Sequence, residues 1–227
     1  MKTKTKRPIT PQDLYRFNII TDMELSPNGE HVVFSVQETD RDSEKKYAHL
    51  WIAPVNGKQP YQFTFGKQVN SKPHWSPDGK TIAFLSNRQD EKQFQIYLLP
   101  FSGGEAHQLT ALKGEFNNFY WSPNRKTLLC EFRKKDREAI NRESDEKKKE
   151  LGIVSRRITR VFFKLDAYGY LPQERWHLWT INTATGKAVQ LTDSKVFDDL
   201  QSSWSPDGKE IVFVSNHSDS PDLNPDA

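Results

Sequence analysis

The chain has 227 residues, of which 35% are hydrophobic and 28% are charged, and its formal net charge at pH 7 is +3. This length allows one or two globular domains, and an aromatic content of 12% is too high for a disordered chain. Basic and acidic residues nearly balance, which argues against a nucleic-acid partner, since such binding needs a concentrated basic surface. The single cysteine, Cys130, excludes an internal disulfide framework.

The first 24 residues are predicted to form an N-terminal extension with one short helix. Residues 1–7 are basic, but no apolar run follows them, so we expect no signal peptide, no membrane partner and a cytoplasmic location. Thr10, Pro11 and Asp13 together are typical of a helix start, because they supply a capping residue, a proline at the first helical position and an acid in the first turn. The helix is expected over residues 11–16.

A turn motif occurs four times in the rest of the chain. Proline fixes φ at the second position of a tight turn, Asp or Asn suits the third position, and glycine accepts a positive φ after it. A short apolar run that suits a buried strand follows each copy. In the third copy Arg125 replaces glycine, so that turn is either strained or of a different type. The copies are Leu25 to Gly29, Trp75 to Gly79, Trp121 to Arg125 and Trp204 to Gly208.

Three of the four copies are followed by a predicted hairpin, so that the repeated unit has four strands. The Ser-Pro pairs begin at residues 26, 76, 122 and 205, and the first two intervals, 50 and 46 residues, match a propeller blade of roughly 40–50 residues. The fold class is therefore predicted as all-β, a partial and open β-propeller over residues 25–227. Its four blades start near 25, 75, 121 and 204. The third has an insertion and the last is incomplete.

Four side chains near the motifs are expected in the core. Trp75, Trp121 and Trp204 each precede a Ser-Pro pair and should occupy equivalent, buried positions. Cys130 lies in a predicted core strand, where an inert buried thiol is expected rather than a nucleophile.

The insertion opens with a charged segment, residues 133–150, in which eight basic and six acidic residues are mixed. Mixed charges at this density predict a solvent-exposed loop or helix. A docking site for an acidic partner is the less favoured alternative, because the charges cancel. Residues 156–170, which follow, have strand character with charges placed inside the segment.

No catalytic residue, metal site or cofactor is predicted. A Gly-x-Ser-x-Gly nucleophile motif and a phosphate-binding glycine loop are missing from the sequence, and the histidines do not have zinc-ligand spacing. One group of residues is a candidate substrate-binding site. In this interpretation, a strand edge and a loop face a cavity, and charged side chains there select a peptide terminus. The alternative, which the pattern alone favours, is a set of surface ion pairs on an inserted strand. These candidate substrate-binding residues are Arg157, Arg160, Lys164, Asp166, Tyr168 and Tyr170.

The segment from Arg7 to Leu14, followed by the first turn motif, resembles the start of the prolyl oligopeptidase family (S9) of serine peptidases. Residues 158–166 and 215–225 are similar to its acylaminoacyl-peptidase and dipeptidyl-aminopeptidase-like branch. The resemblance implies an N-terminal propeller, usually seven-bladed, that precedes an α/β-hydrolase domain with a Ser, Asp, His triad. In such enzymes the propeller shields the active site and restricts substrates to peptides.

The resemblance implies that this chain is a substrate-gating propeller portion of such a peptidase, without the catalytic domain and so inactive alone. A peptide substrate is the implied partner once a catalytic domain is joined to it. Open blade edges predict self-association. Two alternatives stay open, a stand-alone TolB-like propeller that binds a protein partner and a truncated gene product without function.

Overall fold

The computed structural model describes residues 7–166 and 168–224. The basic residues 1–6, Ala167 and the last three residues of the polar tail lie outside this part. The chain divides into two compact units, residues 1–107 and residues 108–227. A 3-10 helix, Pro11–Arg16, occupies the position expected for the short helix, and the Asp13 carboxylate accepts a hydrogen bond of 2.8 Å from the Thr10 backbone N–H.

The first unit opens with a four-stranded antiparallel sheet in sequential order. Its first strand begins at Ile19, whereas the turn motif placed the blade start near residue 25, because the motif follows the first strand of a blade rather than preceding it. The extension accordingly ends earlier than residue 24. The strands are β1 (Ile19–Leu25), β2 (His31–Thr39), β3 (Lys46–Pro54) and β4 (Tyr61–Gln62).

The second sheet repeats this order. Its second strand is buried on both faces, with Ile82, Ala83 and Phe84 fully inaccessible to solvent, as the apolar run predicts. The strands are β5 (Asn70–Trp75), β6 (Thr81–Ser86), β7 (Gln95–Pro100) and β8 (His107–Gln108).

Within the described residues, the second unit contains a third four-stranded sheet and two two-stranded sheets. The third sheet consists of β9 (Gly114–Trp121), β10 (Thr127–Lys134), β13 (Trp176–Asn182) and β14 (Ala188–Gln190). The insertion between β10 and β13 contributes α1 (Arg137–Glu143), α2 (Glu146–Leu151), β11 (Lys164–Leu165) and β12 (Gly169–Tyr170). The last sheet pairs β15 (Asp199–Trp204) with β16 (Ile211–Ser215). The predicted class, a partial propeller of four-stranded blades with an incomplete fourth, is confirmed.

All four turn motifs have the same geometry. In each, the Ser hydroxyl donates to Oδ1 of the Asp or Asn two residues later over 2.6–2.9 Å. It also accepts a hydrogen bond of 2.9–3.1 Å from the backbone N–H five residues later. Arg125 has φ 63°, close to the 67° of Gly79. The third turn is therefore of the same type and strained, since a Cβ disfavours this region.

The expectations for the core hold in part. Trp75 is 4% exposed, and its ring packs edge-on against Phe101 at 4.8 Å. Trp121 and Trp204 are only half-buried, so the equivalence of the three positions extends to the turn but not to burial. Cys130 is fully buried, and burial raises the pKa of its thiol well above the usual value, which keeps the sulfur protonated.

Candidate substrate-binding site

The insertion of the third blade builds the candidate site. Most of its charged part folds into α1 and α2, which have no buried residue, as the mixed charge predicts. Arg133 and Lys134 differ, because they belong to β10, where Arg133 is buried. The prediction of strand structure over residues 156–170 was wrong. Within the described residues of this segment, only the two-residue strands β11 and β12 form. A strand needs a paired neighbour to satisfy its backbone, and within the described residues of this segment pairing is confined to these two strands.

A cavity of about 350 Å³ lies between α1, the irregular segment after α2 and the residues that follow β12. Three of the six predicted residues line it, Arg157, Arg160 and Tyr170. Lys164, Asp166 and Tyr168 are not part of its wall. We call this cavity the insertion pocket. It is lined by Asp136, Glu138, Ala139, Arg142, Ile153, Ser155, Arg156, Arg157, Ile158, Thr159, Arg160, Phe163, Tyr170, Leu171 and Gln173.

Tyr170 organises the cations around the pocket. The Arg156 guanidinium lies 4.0 Å from the centre of the Tyr170 ring, and the Lys164 ammonium lies 5.8 Å from it. The ring of Phe163 is a further neighbour, with its centre 6.3 Å away. Cation–π contacts of this kind fix a charged group against a ring face. Lys164 therefore reaches the site through Tyr170, although it does not line the cavity.

Arg160 makes an ion pair with the tail of the chain. Its Nη2 and Nε donate to the two carboxylate oxygens of Asp222 over 3.0 and 3.2 Å. The Arg175 guanidinium also approaches Asp222, at 3.4 Å, and binds Asp198 at 3.1 Å. Burial by itself raises the pKa of the Asp222 carboxyl, but the hydrogen bonds and positive charges of the two arginines outweigh it and leave that pKa below its usual value.

Tyr168 fastens the β11–β12 hairpin to the third blade instead of facing the pocket. Its hydroxyl donates to Oε2 of Glu115 over 2.8 Å and also bonds to the Arg133 guanidinium. Burial, and then the bond to Glu115, raises the pKa of this phenol. Asp166 makes no hydrogen bond or ion pair with any other described residue.

Residues that the sequence did not single out complete the pocket. The Asp136 carboxylate accepts hydrogen bonds of 3.0 Å from the backbone N–H groups of Gln173 and Glu174. The side-chain amide oxygen of Gln173, Oε1, in turn accepts a 2.9 Å hydrogen bond from the Thr159 hydroxyl. These contacts tie the start of α1 to both other walls. These hydrogen bonds could not be predicted from the sequence, because the residues that they join are far apart along the chain.

Residues 7–166 and 168–224 show neither a cluster of metal-ligand side chains nor a membrane-spanning helix. This part contains no group of three His, Cys, Asp or Glu side chains that could hold a metal ion. It also has no helix of the length and apolarity that a bilayer requires.

The family of TolB β-propeller domains matches residues 18–159. The chain belongs to this family. The sequence is also similar to the uncharacterized peptidase YuxL of Bacillus subtilis, with 26% identity over 224 residues, 96% of this chain and 33% of that protein. Dipeptidyl-peptidase 5 of Porphyromonas gingivalis is 31% identical over 91 residues, 40% of this chain and 13% of that protein. The TolB propeller described here thus spans about a third of the first of these relatives.

Solved structures show the same fold. The acylaminoacyl peptidase of Pyrococcus horikoshii superposes with a TM-score of 0.68 and 19% identity, over 90% of this chain and 29% of that one. TolB of Agrobacterium tumefaciens superposes with a TM-score of 0.53 and 20% identity, over 88% of this chain and 56% of that one. Together with the sequence relatives, these matches confirm the resemblance to the propeller portion of acylaminoacyl-peptidase-like S9 peptidases.

Proposed function

We propose that this TolB propeller segment selects peptide substrates for a serine peptidase of the prolyl oligopeptidase family. The observation that carries the proposal is the insertion pocket, where Arg157 and the ring of Tyr170 share a cavity with apolar side chains. Sequence similarity to one peptidase, YuxL, across 96% of the chain supports it. In this proposal the hydrolytic chemistry belongs to the part of such a peptidase that this chain does not match.

The dimensions and surface of the pocket suit a short piece of peptide. A volume of about 350 Å³ lies at the lower end of the range for small-ligand sites. Ile158, Phe163 and Tyr170 are all more than a third exposed and offer apolar contacts to a bound side chain. The guanidinium groups offer several hydrogen-bond donors in a fixed plane. A peptide has both the apolar and the polar groups that such a surface requires.

Peptide binding to the purified full chain tests this proposal. Fluorescence polarisation of short labelled N-acyl peptides should report saturable binding. Tyr170→Ala should weaken that binding, whereas Tyr61→Ala should not, because Tyr61 lies outside the pocket and is equally exposed, 44% against 45%. Absence of binding by any peptide, or an equal loss in both variants, would rule the proposal out.

A stand-alone propeller that binds a folded protein is the competing function. The likeness to TolB structures concerns the fold alone, at 20% identity or below, whereas sequence similarity over 96% of the chain is to a peptidase. This difference favours the peptidase function.

Two further expectations from the sequence are proposals as well. We propose that the chain self-associates through the exposed strand β16, whose Val212 and Val214 side chains are 68% and 58% exposed. We also propose the cytoplasm as its compartment.

A further inference from the structure

The cations of the insertion pocket outnumber its acids. Four arginines line the cavity against two carboxylates, those of Asp136 and Glu138. The arginines come from α1 and from the irregular segment after α2, and they are Arg142, Arg156, Arg157 and Arg160. At neutral pH every guanidinium is charged, so the cavity carries a net positive charge.

Internal contacts already engage one arginine and one acid of the pocket. Arg160 donates hydrogen bonds to the two carboxylate oxygens of Asp222. The Asp136 carboxylate accepts hydrogen bonds from the backbone N–H groups of Gln173 and Glu174. In the described part of the chain, no ion pair joins an acid to Arg142, Arg156 or Arg157. Three guanidinium groups without an ion pair therefore face the cavity. They outnumber its two carboxylates, of which Asp136 keeps its negative charge although backbone N–H groups bind it.

The cation–π contact of Arg156 with Tyr170 does not use the hydrogen-bond donors of its guanidinium group. Its guanidinium carbon lies over the Tyr170 ring, 4.0 Å from the ring centre. The N–H groups of a guanidinium point outward in its plane, and stacking on an aromatic face does not consume them. The contact holds the group in place, which lowers the entropy lost when it binds a ligand.

The walls of the pocket narrow the kind of anion that fits. Ile158, Phe163 and Leu171 contribute apolar surface next to the cations. Inorganic phosphate has no apolar part to cover this surface, whereas an amino-acid residue that bears a carboxylate has one. A guanidinium pairs with a carboxylate through two parallel hydrogen bonds, while a peptide ammonium group would be repelled here.

We propose that the insertion pocket binds the carboxylate of a peptide, with Arg157 as the principal partner, assisted by Arg142 and Arg156. This inference rests on the proposed function and specifies its substrate class, which is peptides with a free C-terminus or an acidic side chain beside an apolar residue. The segment thus selects the carboxylate end or an acidic position of the substrate rather than its amino end.

Matched peptide pairs test the inference on the full chain. In the first pair, a labelled N-acyl-Ala-Phe peptide carries either a C-terminal acid or a C-terminal amide. In the second pair, both C-termini are amides, and the sequences are N-acyl-Asp-Phe and N-acyl-Asn-Phe. Binding is measured by fluorescence polarisation. Loss of the carboxylate should weaken binding about ten- to a hundredfold, as expected for a charge-assisted hydrogen bond. The first pair reports a C-terminal carboxylate and the second an acidic side chain.

Variants assign the effect to the pocket. Arg157→Ala should weaken binding of the acid peptide about tenfold and leave the amide peptide nearly unchanged, with Arg157→Lys intermediate. Arg137→Ala is the matched control, because Arg137 is on α1 but does not line the pocket. Thermal unfolding followed by circular dichroism verifies that each variant is folded, and if Arg157→Ala is not, Arg142→Ala replaces it.

The outcomes separate the two proposals. Equal affinity for the acid and the amide in both pairs would overturn the carboxylate inference and leave peptide selection intact. Failure of every peptide to bind would overturn both. An effect of Arg137→Ala as large as that of Arg157→Ala would show that only general surface charge is at work.

Discussion

Glu24 and Trp75 bind each other through two hydrogen bonds. The backbone N–H of Trp75 donates to the carboxylate of Glu24 over 2.5 Å, and the indole N–H of Trp75 donates to the carbonyl oxygen of Glu24 over 3.3 Å. Glu24 lies on β1 and Trp75 on β5, so these contacts join the first strands of successive blades in the first unit. The tryptophan before the turn motif therefore acts as a fastening between blades as well as a core residue.

Replacing this tryptophan should be costly. Trp75→Ala removes a nearly fully buried ring together with its bond to Glu24, and should lower the free energy of unfolding by roughly 3–5 kcal/mol. Trp204→Ala should cost less, because Trp204 is only half-buried. Urea unfolding followed by far-UV circular dichroism measures both. Unchanged midpoints for Trp75→Ala would contradict the role assigned to this position.

Two glycines at equivalent hairpin turns should respond differently to alanine. Gly57 and Gly186 have φ of 82° and 69°, so both substitutions introduce backbone strain of about 1 kcal/mol. A Cβ at Gly186 would also lie 2.2 Å from the Leu109 carbonyl oxygen, whereas a Cβ at Gly57 would have no atom within 4 Å. Gly186→Ala should therefore cost about 2–4 kcal/mol in all. Similar unfolding midpoints for the two variants would refute the close approach.

The ion pair of Asp222 should make the stability of the chain depend on pH. The folded-state pKa of this carboxyl lies below its usual value, so its stabilisation is present above about pH 4 and is lost as the pH falls through the lowered pKa. Asp222→Asn should lower the free energy of unfolding at pH 7 by about 1.5–3 kcal/mol, and the difference from the parent chain should shrink toward pH 3.

Thermal unfolding between pH 7 and pH 3 measures this difference. Asp219→Asn is the control, because Asp219 is exposed and makes no ion pair with the other described residues. A difference between Asp222→Asn and the parent chain that does not change with pH would show that the carboxylate charge is not what stabilises the tail.

Strand β16 should promote self-association. It pairs with β15 along one edge, and within residues 7–166 and 168–224 no strand pairs with the other edge. Val212→Lys places a charge on this exposed apolar strand and should shift the chain toward monomer. Val55→Lys, on an exposed turn with a similar exposed fraction, should not. Sedimentation velocity over a concentration series decides, and a parent chain that stays monomeric at high concentration would exclude the idea.

The sequence alone determined the blades, because the interactions that define them are local. The hydrogen bonds that the Ser hydroxyl makes in each Ser-Pro turn join residues no more than five positions apart, so the motif specifies the turn wherever it occurs. The turn retains its geometry even with Arg125 in place of glycine. Burial of β6 and of Cys130 likewise follows from continuous apolar runs, whose transfer out of water is favourable in any compact fold.

Only the tertiary structure decided which of the candidate residues share a pocket. Arg160 pairs with Asp222 across 62 positions and Tyr168 with Glu115 across 53, so one faces the tail and the other the third blade. Asp136 closes the pocket by binding Gln173, 37 positions away. Charged side chains so far apart along the sequence have many possible partners in an unfolded chain. Neither the composition of the sequence nor the spacing of its residues indicates which partner each will have. The choice is made by the packing of the insertion, because an ion pair is stabilising only where the fold brings its two groups within hydrogen-bonding distance and out of water.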